Sequence, residues 1–265
     1  MTVAIIIPAR FASTRYPGKP LVGLTGATGV TKTLLERSWD AAMAVSGVDM
    51  VVVATDDDRI KAHAESFGAT VIMTDPSCQN GTERCAQAMQ NMGVDCEIIV
   101  NLQGDAPLTP TWFVEDLIIG LRQSGCGMAT PVLRCDGRAL NGLLADRKAG
   151  RVGGTTAVFS AENEALYFSK EVIPFVAETF GDEDETPVFH HVGVYAYRPD
   201  ALRDYAQWSV GPLERLEGLE QLRFIENGTP IQCVAVDAKG RQFWELNNPE
   251  DVPRIERMLL EMGIA

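Results

Sequence analysis

Three cations lie close together in an acidic chain and could bind a phosphate group. They are Arg10, Arg15 and Lys19, all in the stretch PARFASTRYPGKPL. Guanidinium groups offer forked donors to phosphate oxygens, and Gly18 would let the backbone approach a ligand closely. The stretch is not a Walker A loop, because the pattern GxxxxGK followed by Ser or Thr is absent. The alternative for such a charge cluster is a solvated surface loop.

A carboxylate after a later apolar run could bind a divalent cation. Asp105 comes three residues after the end of the run EIIVNL, in the sequence QGDAP. Carboxylate oxygens are ligands that Mg²⁺ prefers. An Asp in a turn, or at a helix N-cap, is the alternative interpretation.

Alternating strands and helices would bring these polar segments to one edge of a sheet. Four continuous apolar runs predict buried strands, and they lie in VAIII, MVVVA, TVIMT and CEIIVNL. The segments between them have apolar residues at the three-to-four spacing of helices. This alternation predicts an α/β fold with a mainly parallel sheet that is covered on both faces.

Ligands of such sheets bind beyond the carboxyl ends of the strands. Four polar segments fall there, namely PARFASTRYPGKP, TDDD, QNGTER and NLQGDAP. A basic loop, a turn with glycine and an acidic residue at one edge favour a phosphorylated ligand with a divalent metal. In QNGTER, the alternative is that Thr82 and Glu83 only start a helix and that Arg84 is a surface cation.

The regular alternation breaks between residues 136 and 185, where an acidic stretch, GDEDET, reads as a solvated loop. A strand then places His191, Gly193, Tyr195 and Tyr197 on one face, because residues two apart in a strand point the same way. A packed core stripe of aromatic rings is the alternative to a binding role for them. One helix is predicted over PLERLEGLEQLRFIENG. We predict a single domain over 1–265 with an inserted subregion at about 136–210.

Composition excludes several classes of protein. The chain has 265 residues and a formal net charge of −13, which opposes binding to nucleic acid. Its apolar runs are far below the roughly 20 residues of a membrane span, and no signal peptide is recognisable. We therefore expect a cytoplasmic protein without membrane insertion. Its six cysteines lack metal-site spacing and are expected to be reduced and mostly buried.

Taken together, the motifs resemble those of the 3-deoxy-manno-octulosonate (Kdo) cytidylyltransferases. Nearly the whole chain carries the likeness, in the order IIIPARFASTRYPGKPL, VVVATDDDRI, QNGTERCAQA, NLQGDAPL, GMAT, ALYFSKEVIP, HHVGVYAYR and PLERLEGLEQLR. The resemblance implies a Rossmann-like nucleotidyltransferase sheet flanked by helices, with the inserted subregion used for dimerisation and sugar binding. It also implies Mg²⁺-dependent transfer of CMP from CTP to the anomeric hydroxyl of Kdo, in a homodimer that serves lipopolysaccharide or capsule synthesis.

The same resemblance implies roles for individual residues. The catalytic residues would be Arg10, Lys19 and Asp105. The CTP site would consist of Pro8, Ala9, Arg10, Arg15, Lys19, Asn80, Gly81, Thr82 and Arg84. The sugar acid would be bound by Gln103, His191, Tyr195, Glu220 and Gln221. Metal ligands would be Asp105 and the residue at the position of Asn247.

The chain departs from the family pattern at metal and sugar positions. Asn247 stands where the family has an Asp ligand, so it contributes no charge, and Glu245 could compensate. Ala106 replaces an acid, and His190 replaces a common Arg before the motif histidine. The segment LTGATGVTKT is longer than usual. Two alternatives therefore remain, namely a related acceptor such as an 8-amino Kdo or a nonulosonic acid, and a catalytically weak nucleotide-binding protein.

Overall fold

The computed structural model describes residues 2–12, 16–241 and 244–265, so the predicted Arg15 lies outside the described residues. The strands are β1 (Val3–Ala9), β2 (Gly23–Thr25), β3 (Thr31–Thr33), β4 (Met50–Thr55), β5 (Thr70–Met73), β6 (Ile98–Leu102), β7 (Met128–Asp136), β8 (Thr156–Phe159), β9 (Ala165–Ser169), β10 (Glu185–His191), β11 (Val194–Tyr197) and β12 (Ile231–Val236). The α-helices are α1 (Leu34–Met43), α2 (Asp58–Ser66), α3 (Gly81–Met92), α4 (Thr111–Gln123), α5 (Gly137–Lys148), α6 (Pro199–Tyr205), α7 (Pro212–Glu217), α8 (Leu222–Glu226) and α9 (Val252–Glu261). These helices, within the described ranges, are too short or too polar to cross a bilayer.

The chain forms two compact units. The first unit combines Met1–Glu115 with Ala238–Ala265, and the second is Asp116–Asp237. The predicted single domain over 1–265 and its inserted subregion at about 136–210 stay predictions.

Parallel strands form the centre of the first unit, in the order β5-β4-β1-β6. Strand β1 pairs in parallel with both β4 and β6, with Ile6 opposite Val52 and Asn101. The side chains from Val3 to Ile7 are completely buried, which explains why the run is apolar throughout rather than alternating. The predicted α/β fold with a parallel sheet and flanking helices is confirmed for this unit.

Two helices in the first unit, α1 and α3, begin at side-chain caps. The Thr33 hydroxyl accepts a hydrogen bond from the backbone N–H of Glu36 at the start of α1. The Asn80 side chain accepts one from the N–H of Glu83 at the start of α3. These caps satisfy amide groups that the first helical turn leaves without partners. Both helices therefore begin close to where the sequence predicted.

The second unit has a mixed sheet around β7. Strand β12 pairs with β7 in parallel, whereas β10 and β11 pair with it in antiparallel fashion. Strand β8 pairs with β10 and β9. The irregular region thus contains strands and one helix, α5, that the sequence did not predict. The predicted single strand with His191 and Tyr197 is two strands, because the chain turns at Val192.

The single helix predicted from Pro212 onward is also wrong. Gly218 adopts a left-handed conformation with φ of 62° and ends α7. Helix α8 begins four residues later, at Leu222. Apolar spacing continues across the break, so periodicity alone did not reveal it, although glycine is the usual residue at such a helix end.

Candidate functional site

The first unit brings the basic loop and the acidic motif into direct contact. Lys19 Nζ lies 2.8 Å from Asp105 Oδ2, and the two side chains are only 15% and 24% exposed. Lys19 begins a short 3₁₀ helix, Lys19–Leu21, directly after Gly18, whose φ is 71°. The predicted convergence of these two segments on one site is therefore present in the structure.

The loop that carries the cations is closed by its own backbone. The N–H of Gly18 donates to the carbonyl of Phe11 over 2.9 Å. The φ of Gly18 favours glycine, and a Cβ there would lie 3.1 Å from the Phe11 ring, which would have to shift slightly. The guanidinium group of Arg59 stacks on the Phe11 ring, with its Cζ 3.4 Å from the ring centroid. Helix α2 thus contacts the loop, through a residue that the sequence did not single out.

Arg10 remains accessible at the end of β1. Its side chain is exposed, and its Nη1 lies 3.5 Å from the carbonyl oxygen of Gln79. That contact places Arg10 beside the QNGTER segment. An exposed guanidinium at the carboxyl end of a parallel strand is suited to binding an anion.

The start of α3 is crowded by residues from β1 and β6. A Cβ on Gly81 would lie 3.0 Å from Gln103 Nε2, 3.2 Å from Asn101 Nδ2 and 3.4 Å from Pro8 Cγ. Gly81 is the first residue of α3, after the cap Asn80. The positive end of a helix dipole therefore lies next to Pro8 and Gln103, in a position suited to negative charge.

Thr82 and Arg84 are buried rather than presented to solvent, with 1% and 2% exposure. Arg84 donates through Nη1 to the hydroxyl of Thr74 and contacts Asp56 Oδ2 at 3.2 Å through Nη2. These bonds give Arg84 a role in joining α3 to the ends of β4 and β5. Its predicted contact with phosphates stays a prediction.

A segment near the C-terminus contacts the backbone of Asp105 and carries two oxygen-bearing side chains, Glu245 and Asn247. The N–H of Leu246 donates to the carbonyl of Asp105 over 2.8 Å, and Asn247 Nδ2 donates to Glu245 Oε2 over 3.3 Å. Carboxylate and amide oxygens fit a hard cation such as Mg²⁺. Across the described residues, no three side chains of His, Cys, Asp or Glu form a cluster that could hold a metal. A cation there would thus use few protein ligands.

In the second unit, three of the predicted sugar-binding residues form a row, namely His191, Tyr195 and Gln221. The His191 and Tyr195 rings are 5.6 Å apart, and the hydroxyl of Tyr195 donates to Gln221 Oε1 over 3.2 Å. His191 Nε2 lies 2.9 Å from the hydroxyl of Thr130, a residue that the sequence analysis missed. Gln221 Nε2 is buried and has no hydrogen-bond partner among the described residues. Its amide can donate to a ligand.

The histidine in this row is neutral at physiological pH. Burial, with a smaller effect of neighbouring His190, lowers the pKa of His191 to about 3. His191 cannot therefore attract a carboxylate by charge, although it can hydrogen-bond. Glu220, also predicted to bind the sugar, accepts a hydrogen bond from the Tyr205 hydroxyl through its backbone carbonyl at 3.3 Å. The predicted sugar-binding roles of His191 and Glu220 stay predictions.

Comparisons with known proteins point to one group. A cytidylyltransferase family model matches residues 4–231. The 3-deoxy-manno-octulosonate cytidylyltransferase of Maricaulis maris (strain MCS10) is 42% identical over 264 residues, which cover 99% of each chain. The protein of the same name from Chlamydia pneumoniae is 40% identical over 255 residues, 96% of this chain and 92% of the relative. A solved CMP:2-keto-3-deoxy-manno-octonic acid synthetase, complexed with CTP, matches with a TM-score of 0.82 and 30% identity, over 99% of this chain and 100% of the other.

Proposed function

We propose that this chain, which belongs to the family of 3-deoxy-manno-octulosonate cytidylyltransferases, transfers CMP from CTP to the anomeric hydroxyl of Kdo. The products are CMP-Kdo and pyrophosphate. The observation that carries the proposal is the contact of Lys19 with Asp105, which joins a phosphate-binding loop to an acid of the type that holds a metal. Nucleotidyl transfer needs these two groups close together, because charge neutralisation provides most of its catalysis.

The first unit would bind CTP. Arg10 and Lys19, together with Arg15, would neutralise the triphosphate, whereas Pro8 and Ala9 would lie near the base. The start of α3, from Asn80 to Arg84, would complete the nucleotide site, because the helix dipole favours an anion there. The exposure of Arg10 and the partial exposure of Lys19 support these roles, since both side chains could reach a ligand.

Asp105 would hold Mg²⁺, with Asn247 or Glu245 supplying a second oxygen. When bound, the metal would supply positive charge against the triphosphate and polarise the reacting groups. Lys19 contacts Oδ2 of Asp105, and the carboxylate has a second oxygen for a cation. The ammonium group of Lys19 has three donors, so it could bind Asp105 and a phosphate together.

The second unit would bind the sugar acid. His191 and Tyr195 would orient hydroxyl groups, and the buried amide of Gln221 would donate to the acceptor. Glu220 would complete the contacts in this unit. Gln103, which belongs to the first unit, keeps the sugar-binding role that the family resemblance implies. Because His191 is neutral, the acid group of the sugar must be neutralised by a cation other than this histidine.

The remaining properties follow from the family. We propose a homodimer, which is supported by large exposed apolar side chains in the second unit, with Phe175 91% and Leu216 84% exposed. We also propose the cytoplasm as the location, where CTP is made, and lipopolysaccharide or capsule synthesis as the pathway.

A related sugar acid is the second candidate acceptor. Asn247, Ala106 and His190 depart from the family pattern, and all three lie at predicted metal or sugar positions rather than in the CTP loop. A nonulosonic acid or an 8-amino Kdo could be preferred for that reason. A catalytically weak nucleotide-binding protein is the candidate from another class, and it rests on Asn247 alone.

A panel assay separates these candidates. Purified protein would be incubated with CTP, Mg²⁺ and Kdo, 8-amino Kdo or a nonulosonic acid, and pyrophosphate release would be measured. We expect release with Kdo. Release only with another acid would change the proposed acceptor, and no release with any acid, despite CTP binding, would favour the weak nucleotide-binding protein.

A further inference from the structure

The carboxylate of Asp251 accepts three hydrogen bonds from the segment Trp244–Asn248. Trp244 Nε1 donates to Oδ1 over 2.9 Å. The backbone N–H groups of Asn247 and Asn248 donate to Oδ2 over 2.9 and 2.7 Å. One side chain thus fixes the backbone on both sides of the predicted metal-ligand position.

Helix capping explains only part of this arrangement. Asp251 and Asn248 form a capping box around the 3₁₀ helix Pro249–Asp251, and that motif needs the bond from the N–H of Asn248. The bonds from Asn247 and from the Trp244 indole lie outside it. Two of the three bonds therefore fix the conformation of the segment Trp244–Asn248 and are not needed to cap the helix.

The other side of the segment is fixed by the core and by Asp105. Leu246 is completely buried and packs in an apolar cluster with Leu24, Leu34 and Ile255, among others. Its N–H donates to the carbonyl of Asp105 over 2.8 Å. Asn247 is thus held through Leu246 on one side and through Asp251 on the other.

Because Asn247 carries no charge, its position matters more than that of an aspartate. A carboxylate attracts a cation over a distance, whereas an amide oxygen contributes only when its dipole points at the ion. The amide of Asn247 is already oriented by its bond to Glu245 Oε2. The backbone bond to Asp251 would complete this orientation.

We propose that Asp251 is a positioning residue that holds the oxygens of Glu245 and Asn247 beside Asp105 for the divalent cation. This inference rests on the proposed function, because that function requires the cation. Asp251 acts through Asn247 and does not itself touch the nucleotide or the metal.

The test is binding of Mn²⁺ alone, measured by the loss of the free-ion signal in electron paramagnetic resonance. For Asp251→Asn we expect about tenfold weaker Mn²⁺ binding, because one amide oxygen and one amino group replace two acceptor oxygens. We also expect a higher Mg²⁺ concentration for half-maximal pyrophosphate release, with kcat at saturating Mg²⁺ changed less. Glu250→Gln removes the same charge from the neighbouring residue and is expected to leave Mn²⁺ binding unchanged.

A second variant keeps the test valid if Asp251→Asn does not fold. Trp244→Phe removes a single bond to Asp251, and we expect about threefold weaker Mn²⁺ binding. Adding Asn247→Asp to Asp251→Asn should restore part of the affinity, because charge then compensates for position.

Unchanged Mn²⁺ binding in folded Asp251→Asn, with only a lower Tm, would overturn the proposal and leave Asp251 a helix cap. Absence of Mn²⁺ binding by the wild-type protein would overturn it as well. Mn²⁺ binding by the wild type without pyrophosphate release from any sugar acid would instead reject the proposed function and leave the role of Asp251 standing.

Discussion

Lys19 and Asp105, 86 positions apart in the chain, share an ion pair of 2.8 Å in the first unit. Each is predicted to bind a different part of the substrate complex, Lys19 the phosphates and Asp105 the metal. The contact uses Oδ2 of Asp105 and one donor of the Lys19 ammonium group. A carboxylate has a second oxygen and an ammonium group has three donors, so both predicted roles are compatible with an intact pair.

Asp105→Asn should lower kcat by about 100-fold or more, because the amide can neither balance Lys19 nor hold a cation with charge. Steady-state pyrophosphate release at several Mg²⁺ concentrations would measure this loss. Asp204→Asn, at an exposed position on α6, is the control and should keep wild-type kcat. Wild-type turnover in Asp105→Asn would remove this carboxylate from the site.

Gly81→Ala tests the crowded start of α3. The new Cβ would approach Gln103 Nε2 to 3.0 Å and Asn101 Nδ2 to 3.2 Å, so neighbouring side chains must shift. We expect the KM for CTP to rise about tenfold with a small loss of Tm, because the shift affects the nucleotide site. The control is Gly142→Ala in α5, where no atom lies within 4 Å and where alanine favours the helix. An unchanged KM for Gly81→Ala would place CTP elsewhere.

Arg223→Met tests a buried ion pair in the second unit. Arg223 donates to Glu214 through Nε and Nη2 over 2.6 and 2.7 Å, and the residues are only 2% and 7% exposed. The variant would leave the carboxylate buried without its guanidinium, at an expected cost of about 3–5 kcal/mol in the free energy of unfolding. Urea unfolding would measure the cost. Adding Glu214→Leu should recover part of it, and a loss below about 1 kcal/mol in the single variant would contradict the burial of the pair.

Acid should destabilise the protein through His191. Burial lowers its folded-state pKa to about 3, whereas an unfolded histidine has a pKa of about 6.5. Between these values the unfolded chain binds a proton that the folded chain does not, so the free energy of unfolding falls as pH decreases below 6.5. One histidine contributes about 1.4 kcal/mol per pH unit in this range. In His191→Gln, the change in stability from pH 7 to pH 5 should be smaller by about 2 kcal/mol, and an equal change would show that His191 titrates normally.

Sequence reasoning was most successful where one local signal decides the structure. The run from Val3 to Ile7 is apolar at every position, which only a strand buried on both faces requires. It failed at α5, although Leu140, Leu143 and Leu144 have the three-to-four spacing of a helix, because the region around them broke the regular alternation of strands and helices. At Gly218 a local signal existed, but the continuing apolar period concealed it.

The sequence allowed the types of residue in the candidate site to be predicted, but not the residues that they contact in the folded chain. The sequence indicated Lys19 and Asp105 separately, yet their ion pair depends on the pairing of β1 with β6. Thr130 carried no signal, because a threonine within an apolar strand is unremarkable until His191 is placed next to it. Asp251 could have been found from the spacing of Asn248 and Asp251, which is typical of a capping box.

The first unit consists of two stretches that are far apart in the chain, and this affects the order in which it can fold during translation. The stretch Met1–Glu115 carries Asp105, whereas Leu246, which donates to the carbonyl of Asp105, belongs to Ala238–Ala265. During translation, the ribosome must therefore complete the whole second unit before Leu246 can reach Asp105. A nascent chain would acquire the predicted phosphate-binding residues early and the predicted metal-ligand position at Asn247 only after the second unit.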